Sequence, residues 1–154
     1  MKKIIIVPIV IVIIVAAGVI LVNSNEQTVE ERWLEEKITS GPFSIDKSEY
    51  NLGEKIFIVV TDLKQEDKGQ LMFFRPLNNT SWGNYMTIDF DGTSKTQFNL
   101  YFEPRLSELK KICSTNELVG EWIVKIIGTE YSDMKFKIMN QTSSWDKRTF
   151  DPVC

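Results

Sequence analysis

The residues of this chain that could do chemistry are carboxylates, two cysteines and a scatter of aromatics, and histidine is absent. That absence removes the commonest general base, the usual zinc and copper ligand, and any Ser-His-Asp or Cys-His nucleophile. A blue-copper centre, which needs two His and a Cys on the metal, is excluded on the same ground. Asp89-x-Asp91-Gly92 opens with the rhythm of a calcium loop. Such a loop wants further oxygen ligands and a Glu at its twelfth position, and counting from Asp89 that position is Leu100. The same residues fit a hairpin turn at Asp91-Gly92. Glycoside hydrolysis needs only carboxylates, yet two acids at a turn tip offer a substrate no cleft. Asp62, Glu66 and Asp67, interleaved with Lys64 and Lys68, read as a solvated loop. No catalytic residue, cofactor or metal follows from these patterns, and the chain reads as a protein that is not an enzyme.

Cys113 and Cys154 are too few for a disulfide framework and do not form a CxxC. In an oxidising compartment they can pair and tie the C-terminus back to the body; the alternative is two unrelated thiols. Three Asn-x-Ser/Thr triplets start at Asn78, Asn79 and Asn140, each a glycan acceptor if exported, although such triplets also arise by chance. Trp82, Tyr85, Trp145 and Phe150 fall in or near expected loops and the C-terminal tail. There they can anchor a partner, stack on a sugar, or simply cap the ends of a core.

The elements that must position these residues begin with residues 4–22, an apolar run broken only by Pro8. At ~1.5 Å per residue it makes roughly 28 Å of helix, close to the thickness of a bilayer's hydrocarbon. Lys2 and Lys3 precede it, whereas Glu26, Glu30, Glu31, Glu35 and Glu36 follow it against Arg32 and Lys37. The positive side stays in the cytoplasm. This predicts a cytoplasmic tip (1–3), one transmembrane helix (4–22) and an extracytoplasmic C-terminal body. Cleavage near Ala16-Ala17-Gly18 would give the same topology with a soluble product, but it would leave Val19–Val22 as an apolar stub. Residues 23–42 are expected to form a helical stalk, capped by Ser24 or Thr28 and stopped by Gly41-Pro42. Val29, Trp33, Leu34 and Ile38 recur at helical spacing. This stripe either rests on its own domain or, with the membrane helix, docks on partner subunits.

From Phe43 the apolar period changes to two. Strands are expected over 43–46, 55–63, 71–75, 85–90, 96–102, 121–127 and 134–139. Turns are expected at 50–54, at the polar loop 78–83, at Asp91-Gly92 and at 128–130. A short helix from Pro104 to about Ile112 crosses over before the sixth strand, with Leu106, Leu109 and Ile112 on its buried side. Residues 141–154 read as a tail. The pattern is mainly β: a seven-stranded antiparallel sandwich over 43–140.

Tyr50-x-x-Gly53-Glu54-x-Ile56-x-Ile58-x-Val60 resembles the start of the second strand in many immunoglobulin-like domains of exported bacterial and archaeal proteins, macroglobulin-type modules among them. Gly120-x-Trp122-x-Val124-x-Ile126, followed by Phe136-x-Ile138, is similar to their closing hairpin. The resemblance implies a fold and a location outside the membrane, and no activity. The usual inter-sheet disulfide is missing, since neither cysteine lies in a matching strand. The formal charge of −3 with scattered lysines argues against nucleic acid. The expected role is therefore a non-catalytic, membrane-anchored interaction module, an accessory or structural subunit of an envelope complex. Its partners would be other membrane or envelope proteins, met through Trp33, Leu34, Ile38, Trp82, Tyr85 and Trp145. The alternative is an adhesin-like or receptor domain that holds a glycan or small solute on its aromatic loops.

Overall fold

The computed structural model describes residues 37–142 and 151–154. The apolar run, most of the stalk, and the side chains Trp33, Leu34, Trp145 and Phe150 lie outside the described residues. Among the described residues no helix is long and apolar enough to cross a membrane.

The body is mainly β, in two sheets. The smaller holds β1 (Ile38–Ser40), β2 (Phe43–Ile45), β4 (Ile56–Val60) and β7 (Phe98–Phe102), in the order β1-β2-β4-β7. The larger holds β3 (Glu49–Leu52), β5 (Lys68–Asn78), β6 (Ser81–Asp91), β8 (Gly120–Ile127) and β9 (Met134–Thr142), in the order β3-β9-β8-β5-β6. The β-branched run predicted over 55–63 becomes β4, with Ile56, Ile58 and Val60 fully buried. In β8, Trp122, Val124 and Ile126 face inward, and in β9 Met134, Phe136 and Ile138 do the same while Lys135 and Lys137 are exposed. This alternation lets one face of each sheet bury apolar side chains, each worth about 1.5–3 kcal/mol.

The two buried faces meet at aromatic contacts. Phe43 and Phe90 ring centroids are 5.0 Å apart, and those of Phe73 and Phe102 4.9 Å, both edge-on. Trp122 stacks on Phe136 at 5.7 Å and donates its indole N–H to the Leu118 carbonyl at 2.8 Å. A buried tryptophan with its one donor satisfied is a rigid centre for the core.

Several expectations need correction. The described strands number nine rather than seven, and β3 runs parallel to β9. The expected turn at 50–54 is half strand: Tyr50 and Leu52 pair along β9, and the turn is confined to Asn51–Glu54, closed by Glu54 N–H on the Asn51 carbonyl at 3.1 Å. The helix expected to run to Gly41 is not found over its described part, because Ile38–Ser40 is a strand that pairs with Phe43–Ile45. Gly41-Pro42 is the hairpin loop between them, and Gly41 at φ +57° supplies the left-handed residue that a tight hairpin needs. Residues 78–83 are mostly strand, with only Asn79-Thr80 looping between β5 and β6.

Asp91-Gly92 is a turn but not a hairpin, since β6 and β7 belong to different sheets. Asp91 holds the corner through its carbonyl, which accepts from Ser94 and Lys95, and through its carboxylate, which accepts from Thr93. Gly92 is required for close approach: a Cβ there would lie 1.8 Å from the Lys64 carbonyl oxygen. The crossover helix is also absent. Ser107 and Ile112 bridge each other with reciprocal backbone bonds of 2.9 and 3.0 Å, and Lys111 takes φ +51° at the bend. Ile112 is buried as expected, whereas Leu109 sits 98% exposed at the tip. A three-residue 3-10 turn, Thr115–Glu117, follows instead.

Candidate functional site

Two surface concavities and one covalent tie hold some of the residues singled out by the sequence. The tie is Cys113–Cys154, a disulfide that holds residue 154 against the body. Its seat is polar and local. Glu117 takes the Cys113 N–H at 2.8 Å and the Ser114 N–H at 3.2 Å on one oxygen, while its other oxygen lies 3.7 Å from the buried Arg75 guanidinium. Val153 N–H adds a bond to the Cys113 carbonyl at 3.2 Å.

The first concavity, of about 500 Å³, lies beside the β5–β6 hairpin and is lined by Leu77, Asn78, Asn79, Trp82, Asn116 and Glu121, among others. Trp82 stands on strand β6, not on a loop, and is half-buried. Its Nε1–H donates to the Glu121 carbonyl at 3.0 Å, which fixes the indole against β8. Asn78 and Asn79 are exposed at the hairpin tip, and Asn140 is exposed on β9.

The second concavity, of about 480 Å³, opens where the edge strand of one sheet, β6, meets the edge strand of the other, β7. Half-buried Ile88, Phe98 and Leu100 form its floor, and Asp89, Lys95 and Asn99 its rim. Among the described residues neither edge has a second strand paired to it. Sequence reasoning missed this seam, because no single stretch carries it. It depends on which strands end up outermost, and the mistaken hairpin at Asp91-Gly92 would have paired β6 with β7 and closed it.

Tyr85 and Ile38 are placed differently from the other aromatic and stripe residues. A β-bulge at Tyr85, opposite Phe73 and Phe74, lets both Tyr85 and Met86 lean on the core. The Tyr85 ring meets Trp122 at 5.1 Å and carries the Lys110 ammonium 3.9 Å above it. Burial raises its phenol pKa, which Arg105 beside it partly offsets. Ile38 packs against the core from β1.

The acid pair weighed for calcium is engaged elsewhere. Asp89 accepts from the Gln70 amide at 2.8 Å, and Asp91 is held by Thr93 and lies 3.3 Å from Lys68. Those hydroxyl and backbone bonds from Thr93, then Lys68, keep the Asp91 pKa below its ordinary value. Among the described residues no group of three or more His, Cys, Asp or Glu gathers as metal ligands would. No family model, no curated protein and no solved structure matches this chain.

Proposed function

We propose that the chain is a membrane-tethered, extracytoplasmic module that works by contact, as an accessory or structural part of an envelope complex. In this reading it takes an extended apolar segment of a neighbouring envelope protein into the seam between β6 and β7. One observation carries it: two strands whose outer edges pair with no other strand among the described residues, one from each sheet, flank an apolar floor of Ile88, Phe98 and Leu100 with a polar rim. An extended peptide there gains main-chain hydrogen bonds from an edge and side-chain burial from the floor. The disulfide supports an oxidising location, and the run 4–22 behind Lys2 and Lys3 supports the tether.

The immunoglobulin-like assignment belongs to the same proposal. Taking β2, β4 and β7 as strands A, B and E, and β5, β6, β8 and β9 as C, C′, F and G, the order β9-β8-β5-β6 follows G-F-C-C′ of a variable-type sandwich. Against it stand the lack of a disulfide between β4 and β8 and the position of the central tryptophan on β8.

The test is capture in native membranes. A photo-reactive residue in place of Lys95 at the seam should crosslink a partner, and the same residue in place of Glu130, on the β8–β9 turn, should not. A monodisperse monomer in mild detergent at native abundance, with no adduct from position 95, would end this reading. A second reading, a glycan or solute receptor, has the Trp82 groove in its favour. There Trp82→Ala should abolish retention on the sugar without lowering the melting temperature; a fall in stability instead would mark Trp82 as part of the packing.

A further inference from the structure

We infer that Asn78 is the residue of this chain that carries an N-linked glycan, in preference to Asn79 and Asn140. The inference rests on the extracytoplasmic location proposed above, because the membrane transferases that attach such glycans work on that side.

All three asparagines begin an Asn-x-Ser/Thr triplet and all three are exposed, so sequence and accessibility do not separate them. Local geometry does. Asn78 ends β5, and its side-chain carbonyl accepts twice from the residue two positions on: from Thr80 N–H at 2.9 Å and from the Thr80 hydroxyl at 3.2 Å. The chain therefore bends back over the acceptor, with the hydroxyl that the triplet requires already on its amide. Two donors on the carbonyl oxygen draw electron density from the amide and acidify the Nδ2 protons. Among the described residues Nδ2 has no hydrogen-bond partner, and it stands at the exposed tip beside the open Trp82 groove, with room for a first sugar.

The other two acceptors lack this arrangement. Asn79 would use Ser81, but Ser81 has entered β6 opposite Asn78 and is half-buried. Asn140 would use Thr142, but both lie within β9, where Thr142 is in register with Leu52 of β3. To bend there, the strand would have to leave its ladder.

The step joins Asn78 Nδ2 to the anomeric carbon of a sugar carried on a polyprenyl phosphate or diphosphate. As the N–C bond forms, the carbon–oxygen bond to phosphate breaks and the phosphate leaves with the electron pair. The amide proton passes to a carboxylate of the transferase.

The test uses the full chain, expressed in a cell that carries such a transferase and weighed intact without reduction. Wild type should show the mass of one glycan. Asn78→Gln and Thr80→Ala should lose it, and Thr80→Ser should keep it. Asn79→Gln, Ser81→Ala and Asn140→Gln should also keep it. A glycan that survives Thr80→Ala but disappears with Ser81→Ala or Asn140→Gln overturns the assignment. A bare wild-type chain with the Cys113–Cys154 bond formed overturns it as well while leaving the location standing. A bare chain with both cysteines reduced removes the location and the glycan together.

Discussion

Tyr50 and Trp122 are aromatics with one polar atom each, both buried, and each satisfies that atom close by in sequence. Tyr50 donates its hydroxyl proton to Asp46 and accepts from the Lys47 N–H at 3.1 Å. Burial first, and then the hydrogen bond to the Asp46 carboxylate, push the Tyr50 pKa far above 10. A folded-state pKa raised in this way contributes stability that is fully present below the unfolded value of about 10 and is lost as pH climbs above it. The melting temperature should therefore fall between about pH 10 and 12. Tyr50→Phe should flatten that limb, the remainder coming from Tyr85 and Tyr131, whose pKa values are also raised. It should cost about 1 kcal/mol at neutral pH through the lost hydrogen bond. A thermal melt at each pH checks both, and an unchanged alkaline limb would place the cause elsewhere. Trp122→Ala should cost about 3–5 kcal/mol in a urea titration, since Tyr85, Phe102 and Phe136 all pack on that ring. Trp122 was legible at the sandwich centre because it alternates with Val124 and Ile126. Tyr50 was not: a tyrosine three residues before a glycine reads as part of a turn, and the strand that pairs with it lies nearly ninety residues away.

At the scale of elements, the strands that announced themselves are those with one wet and one dry face: β4, β7, β8 and β9. What misled were punctuation marks whose meaning depends on the neighbours. Gly41-Pro42 ends a helix or turns a hairpin with equal ease, and the pairing of Ile38–Ser40 with β2 decides it. Leu106, Leu109 and Ile112 have helical spacing, yet the segment buries Ile112 and leaves Leu109 in solvent, so the bridge between Ser107 and Ile112 prevails over the period. Asp91-Gly92 carries the composition of a hairpin, but Gly92 is there because Lys64 passes against it. Gly92→Ala should accordingly destabilise by roughly 1–3 kcal/mol, because a backbone carbonyl cannot swing aside as a side chain can. Gly83→Ala is the control. The atoms nearest its Cβ would be those of the Leu77 side chain, at 3.1 Å and beyond, and the cost should stay below about 1 kcal/mol. Equal denaturant midpoints for the two variants would mean that the corner at Gly92 yields.

For the whole molecule, the candidate sites divide by how far apart their parts lie in the chain. The cysteine pair was legible because there are only two. Trp82 and the asparagines were legible as residue types and misplaced only as to element. The β6–β7 seam was illegible, because strand order across two sheets is set by pairings between distant segments. The disulfide links these parts to location in a way that can be measured. It closes a separation of 41 residues, and such a closure stabilises by about 4 kcal/mol in the chain-entropy view. Cys154→Ser should thus lower the denaturation midpoint substantially while Glu117 and Arg75 still hold Cys113 in place. The same bond reports topology. If Lys2 and Lys3 hold the leading end in the cytoplasm against the acids at 26–36, then Lys2→Glu with Lys3→Glu removes the charge bias that sends the body outward. A larger share of chains should then keep both thiols open to a maleimide added after lysis, read as a mass shift against wild type. Chains that stay fully disulfide-bonded after that double substitution would show that the flanking charge does not set which way the body faces.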